Sequence, residues 1–337
     1  MSDSHRTNAV VPADAGTQRL SVTANVPANP LLDFSGLPRL DALRPEHVSP
    51  AIDLLLGEAR AAIETVAADT RPATWDTVAE PLEDTLDRLS RAWGAVEHLN
   101  AVVSTPALRD AYHANLPKIT AFYTDLAQDL RLFDRYRGLR ASPSFAALDG
   151  ARQRAIDNEL RDFRLGGAEL PDAQKARFKA VEEELAELSA RFDDNLLDAT
   201  NDWALYVDSV GTLAGVPQDV LAEARAAAKA DGKPGWKLTL RMPCYLPVMS
   251  YAEDRALRAT VHRANATRAS EVGASKQWDN TSVIRRILDL RREAALLLGY
   301  ANYAEVSLVP KMARSVDEVL AFLRDLARRA RPFAERD

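Results

Sequence analysis

Residues 178–196 read FKAVEEELAELSARFDDNL, and their spacing decides the fold class. Phe178, Val181, Leu185, Leu188, Phe192 and Leu196 recur by threes and fours, which places them on one face of an α-helix. The other faces carry Glu182, Glu183, Glu184, Glu187, Asp193 and Asp194. Paired carboxylates can serve acid–base chemistry, but six of them around an apolar stripe read as a solvated helix surface. The same period recurs upstream. Ile52, Leu55, Leu56, Ala59, Ile63 and Val66 form one stripe, and Trp75 through Leu82, Leu89, Trp93 and Val96 to Val103 form a second, with Pro81 near its start or breaking it. A third runs from Leu108 through Tyr112, Ile119 and Leu126 to Phe133, with Pro117 as a candidate kink. Stripes of this kind are core-facing, so the fold class is mainly α.

Between these helices the punctuation is sparse. Arg137 to Gly150 is looser, with Gly138, Ser142, Pro143 and Ser144, and is a candidate boundary between subdomains. Gly166-Gly167 marks a turn, and Pro171 stands at a first helical position. Gly232-Lys233-Pro234-Gly235 is the strongest break. After it Trp236, Leu238 and Leu240 alternate with Lys237 and Thr239, a short strand signature. A small β element is therefore expected near residues 236–249, irregular or at a sheet edge where Pro243 and Pro247 bracket Cys244 and Tyr245. Ser250-Tyr251-Ala252-Glu253 and Ser315-Val316-Asp317-Glu318 both read as capping boxes that open helices.

The chain has 337 residues, 47% hydrophobic and 27% charged, with a formal charge of −6, a composition that excludes a mainly disordered or fibrous protein. That length favours two domains or one large composite domain. Residues 1–28 lack aromatics and helical period and read as a disordered tail, a processed targeting peptide being the alternative. One cysteine excludes an intramolecular disulfide and suits a reducing cytosol. No apolar run reaches the roughly 18 residues of a membrane span.

No chemistry is visible in local motifs. His5, His47, His98, His113 and His262 are far apart, and no H-E-x-x-H occurs, so a local zinc motif is absent. Cys244 sits among apolar neighbours and reads as a structural thiol. Gly232-Lys233 lacks the flanks of a phosphate loop. Residues 283–337 hold eleven Arg and Lys against eight acids, interleaved, which is a solvated helical surface and no nucleic-acid groove. Arg255, Arg258, His262 and Arg263 cluster on one helix, where they would bind a carboxylate or phosphate or pair with acids of the fold.

A series of strings, in order, carries a resemblance. They include Asn29-Pro30-Leu31-Leu32, Leu43-Arg44-Pro45-Glu46-His47-Val48, Asp157-Asn158-Glu159-Leu160-Arg161-Asp162-Phe163 and Leu197-Asp198-Ala199-Thr200-Asn201. Tyr245-Leu246-Pro247-Val248-Met249, Arg255-Ala256-Leu257-Arg258, Arg268-Ala269-Ser270, Trp278-Asp279-Asn280, Leu298-Gly299-Tyr300-Ala301-Asn302-Tyr303 and Lys311-Met312-Ala313 follow. Over residues 29–337 the chain resembles the oligopeptidase A branch of the thimet oligopeptidase family of zinc metallopeptidases. The resemblance implies a multi-helical N-terminal lobe of a two-lobed channel peptidase that admits short peptides. It implies a helical N-terminal domain at 29–150, and at 151–337 the first part of the catalytic region, ending before the zinc-binding helix. The family's zinc is held by the two His of H-E-x-x-H and a later Glu. None of these has a counterpart here, so no catalytic or metal residue is assigned and zinc is not expected to bind this chain. Two functions remain open: the N-terminal portion of a cytoplasmic zinc metalloendopeptidase, completed by a C-terminal half, or a non-enzymatic helical module that binds peptides or a partner.

Overall fold

The computed structural model describes residues 29–336, so the tail expected at 1–28 lies outside the described residues. The first six helices are α1 (Pro45–Ala68), α2 (Glu80–Val102), α3 (Pro106–Ala127), α4 (Leu130–Ala141), α5 (Pro143–Ala146) and α6 (Gly150–Leu165). Their apolar stripes converge on one core, in which Ile52, Leu55, Leu89, Leu132, Phe133, Leu139 and Ile156 are wholly or almost wholly buried. That core runs through Phe145, Leu160 and Phe163 to Ala168, past the looser stretch at 137–150, most of which is helical.

Two of the expected stripes are interrupted. Trp75–Ala79 forms a wide π turn before α2, with the Glu80 N–H donating to the Trp75 carbonyl. Pro81 has no N–H to continue the ordinary ladder, and it sits in the first turn of α2, where none is needed. The Leu108–Phe133 stripe was expected to be one helix, but it ends at Ala127. Asp129 then caps α4 by accepting from the Arg131 and Leu132 N–H groups, so Phe133 belongs to α4. α3 itself continues through Pro117.

Gly166 and Gly167 make the turn that follows. A Cβ on Gly166 would lie 2.3 Å from the Ala127 Cβ, and Gly167 has φ +88°, so both positions require glycine. Pro171 is the N-cap of α7 (Asp172–Asp202), one place before its first residue. Beyond it come β1 (Ala204–Val207), α8 (Gln218–Ala230), β2 (Trp236–Thr239), α9 (Met242–Tyr251) and α10 (Arg255–Thr267). β1 pairs antiparallel with β2, Ala204 opposite Thr239 and Val207 opposite Trp236. The hairpin-like sheet, α8, α9 and α10 enclose a second core around Leu213, Leu238, Val248 and Val261.

The expected β element is therefore residues 236–239 only, since 242–251 are helical. Pro243 falls in the first turn of α9, where proline is tolerated. Ser250 lies in the last turn of α9 and opens no helix. Asp254 caps α10 instead, one carboxylate oxygen accepting from both the Ala256 and Leu257 N–H groups.

Three helices complete the described chain: α11 (Thr281–Leu297), α12 (Tyr303–Leu308) and α13 (Val316–Ala334). α11 lies along α7 and closes a third core, with Val283, Ile287 and Leu290 against Phe178, Val181 and Leu185. The helix start at Ser315 holds as expected, with the return bond of the box falling one residue upstream. The Ser315 hydroxyl accepts from the Glu318 N–H, and the Glu318 carboxylate accepts from the Arg314 N–H. α13 packs on α12 and buries none of its residues, leaving Phe322 66% and Leu326 52% exposed.

Candidate functional site

The long helix α7 meets the first core chiefly along α3, and the seam opens into a cleft of about 860 Å³. α3 contributes His113, Leu116 and Lys118, and α7 contributes Glu183, Glu184 and Glu187. At one end of the cleft the two helices are locked by charge. The Arg109 guanidinium donates to both oxygens of Asp198, at 2.8 and 2.9 Å, and its Nε stands 3.4 Å from Asp194. The other oxygen of Asp194 is 2.7 Å from the His113 Nε2. Arg109 also donates to the Ser104 hydroxyl and so ties down the α2–α3 turn, where Ser104 has φ +42°.

Each helix supplies its pair at a spacing of four, Arg109 with His113 and Asp194 with Asp198, so both members project from one face. That double spacing is the sequence signal for this cluster. The reading of the α7 acids as a solvated surface needs correction on this point. Asp194 is ion-paired to α3, and Glu184 is 2.6 Å from Arg286 of α11. Glu182 is half-buried without an ion pair among the described residues, and burial pushes its carboxyl above the ordinary value. Asp193 is raised by burial and by the neighbouring Asp194.

An aromatic wall adjoins the cluster. Trp93 of α2 stacks on Tyr112 of α3 with centroids 5.1 Å apart and planes 12° apart. Burial, helped by Glu97, Asp193 and Asp194, pushes the Tyr112 hydroxyl up to about 12. Burial likewise raises the Glu97 carboxyl. Asp198 in turn holds the Arg109 guanidinium firmly protonated. The seam thus combines an apolar floor, a stacked aromatic pair and a surplus of carboxylates. Among the described residues the seam holds no nucleophile hydrogen-bonded to a base.

The remaining sequence candidates are scattered. The His47 ring accepts from the Arg44 N–H at the start of α1, His98 and His262 are exposed, and His5 lies outside the described residues. Among the described residues no three His, Cys, Asp or Glu stand close enough to hold a metal ion. The described residues therefore do not offer the donor set that the family's zinc requires. Cys244 is half-buried, its sulfur accepting from the Thr239 N–H at 3.4 Å. On α10, Arg258 donates to the Ala252 and Glu253 carbonyls and caps the end of α9. Arg255, His262 and Arg263 form no ion pair among the described residues, against the expectation of pairing with acids.

The order of helices and the small two-stranded sheet define a mainly α architecture. A family described as the N-terminal domain of neurolysin and thimet oligopeptidase matches residues 52–175, and peptidase family M3 matches residues 248–337. The chain belongs to this oligopeptidase family. Oligopeptidase A of Salmonella typhimurium is 43% identical over 310 residues, which are 92% of this chain and 46% of the relative. Oligopeptidase A of Escherichia coli is also 43% identical over 310 residues, with the same shares. The dipeptidyl carboxypeptidase of Salmonella typhimurium is 29% identical over 308 residues, 90% of this chain and 45% of that protein. The chain thus spans about half the length of the curated relatives it matches, corresponding to their N-terminal part. Among the described residues no helix is long and apolar enough to cross a membrane.

Proposed function

We propose that this chain is the N-terminal portion of an oligopeptidase A-like zinc metalloendopeptidase that degrades short peptides in the cytoplasm. In this reading residues up to about 170 form the helical N-terminal lobe and one wall of the substrate channel. The division is proposed near 170 rather than 150, a reading supported by the reach of the first core to Ala168 and by the Gly166-Gly167 turn. α7 to α13 are the first part of the catalytic region. Zinc and its ligands come from the half of the relatives that the chain does not match.

The observation that carries the proposal is the exposed apolar stripe of α11 and α13. Leu288, Leu296, Phe322, Leu323, Leu326 and Phe333 are all more than half exposed, although they recur at helical spacing. Such a face calls for a cover. We assign that cover to the C-terminal half of an oligopeptidase A, which would also bring H-E-x-x-H. The test is complementation: the chain is mixed with the separately expressed C-terminal half of the Salmonella typhimurium protein and zinc. Cleavage of a quenched short peptide by the mixture, abolished by a chelator and absent from either part alone, supports the proposal. A folded mixture with no cleavage leaves the binding-module reading, which the cleft between α3 and α7 favours.

A further inference from the structure

Within the N-terminal lobe, two adjoining cavities of about 300 and 250 Å³ open between α2, α3, α4 and α6. Leu82, Leu86, Tyr123, Tyr136 and Glu159 line both. Trp75 lies at the end of the first and Phe163 at the end of the second. Together they reach the size of small-molecule sites, about 300–1,000 Å³. Their polar lining is one-sided. Glu83 and Asp87 enter the first and Asp162 the second, and no Lys, Arg or His lines either.

The nearby cations are engaged elsewhere. Arg161 donates to Asp162 and Asn158, Arg91 lies 3.9 Å from Asp87, and Arg152, stacked over Trp75, lies 3.8 Å from Asp149. Glu83 and Glu159 form no ion pair among the described residues. Tyr136 supplies a second, independent observation. It is only 5% exposed and its ring packs on Phe163, yet its hydroxyl has no hydrogen-bond partner among the described residues. The hydroxyl is reachable from the two cavities that Tyr136 lines, so a donor entering them can meet it. The electrostatics agree with the geometry. Apolar surroundings, then Asp162 and Glu83, hold the Glu159 carboxyl above its ordinary range. Burial, then Glu159 and Glu83, raises the Tyr136 hydroxyl.

We propose that this twin cavity binds an amphipathic primary amine, its apolar body between Leu82, Leu86 and the Tyr123 ring and its ammonium between Glu83 and Glu159. The Tyr136 hydroxyl accepts a hydrogen bond from the ammonium, and the aromatic walls add cation–π attraction. A free arylalkylamine and the N-terminal residue of a peptide share this chemistry.

Isothermal titration of the full chain tests it with phenethylamine, phenylalanyl-glycinamide, phenethyl alcohol and phenylacetate. At least one of the two amines binds about tenfold tighter than the alcohol, a difference of about 1.4 kcal/mol, and phenylacetate does not compete. Phenethylamine alone identifies a free amine as the ligand, and the dipeptide amide binding as tightly identifies a peptide N-terminus. Glu159→Gln, with folding checked by circular dichroism, lowers amine affinity about tenfold and leaves the alcohol unchanged. Tyr136→Phe, with helicity checked by circular dichroism, weakens the amine and not the alcohol. Equal binding of amine and alcohol, amine affinity unchanged in Glu159→Gln, or no binding by either amine at millimolar concentration overturns the proposal.

Discussion

Replacing Arg109 by Met keeps the length of the side chain and removes the charge that holds α3 to α7. In the native chain the guanidinium makes two hydrogen bonds to Asp198 at 2.8 and 2.9 Å and stands 3.4 Å from Asp194. The three side chains are 24%, 22% and 18% exposed, so the cluster is screened but not fully solvated. Hydrogen bonds to charged groups contribute about 1.5–3 kcal/mol each when shielded, and exposed ion pairs about 0–1 kcal/mol. This cluster lies between those limits. Removing Arg109 also leaves Asp194 and Asp198 facing each other one turn apart, with only His113 to offset them. The expected loss is about 2 kcal/mol, which for a chain of this size lowers the melting temperature by about 4 °C. Circular dichroism at 222 nm through thermal and urea unfolding reads both numbers. The cycle with Asp198→Asn isolates the pair, with an expected coupling of about 1 kcal/mol. A variant within about 0.3 kcal/mol of the native chain, or a coupling of zero, would refute the latch.

Three further outcomes follow from local geometry. Gly235→Ala should cost about 2 kcal/mol or more by urea unfolding, because φ is +77° and an added Cβ would lie 2.2 Å from the Val207 carbonyl oxygen across the β1–β2 pairing. Glu182→Gln should raise the melting temperature at pH 7. Burial lifts the Glu182 carboxyl above 4.5, so its penalty is absent below the unfolded value and grows as pH rises through the folded one; the gain should vanish by pH 4. Asp254→Ala should cost about 1 kcal/mol by removing the acceptor for two N–H groups at the start of α10, and Asp254→Ser should recover most of it.

The helices were legible because an apolar stripe with a 3.6-residue period needs only local sequence, and Ile52 to Val66 and Phe178 to Leu196 stand in the structure as read. Breaks inside a stripe were harder. The apolar period runs on from Leu126 through Leu130 to Phe133, while the single carboxylate of Asp129 ends one helix and starts the next. Pro243 and Pro247 argued against helix by composition, yet Pro243 falls in the first turn, where proline costs no hydrogen bond, and α9 continues through Pro247. β1 escaped notice because Trp203 to Val207 is an unbroken apolar run with no alternation. The site was least legible of all. Arg109 and Asp198 are 89 residues apart, and only the matched spacing of four on each side links them. The twin cavity left no trace in the sequence, since its lining comes from five separate segments.

The central claim is that the exposed faces of α11 and α13 are one side of a seam with a C-terminal half of the oligopeptidase A kind. Sedimentation velocity of the chain, alone and titrated with the C-terminal half of the Salmonella typhimurium protein, tests it most directly. The chain alone is expected to self-associate, and the added half to convert it to a 1:1 complex. Leu323→Asp with Leu326→Asp should abolish that complex while leaving the helical signal intact. A chain that sediments as a clean monomer at all concentrations and ignores the added half contradicts the account.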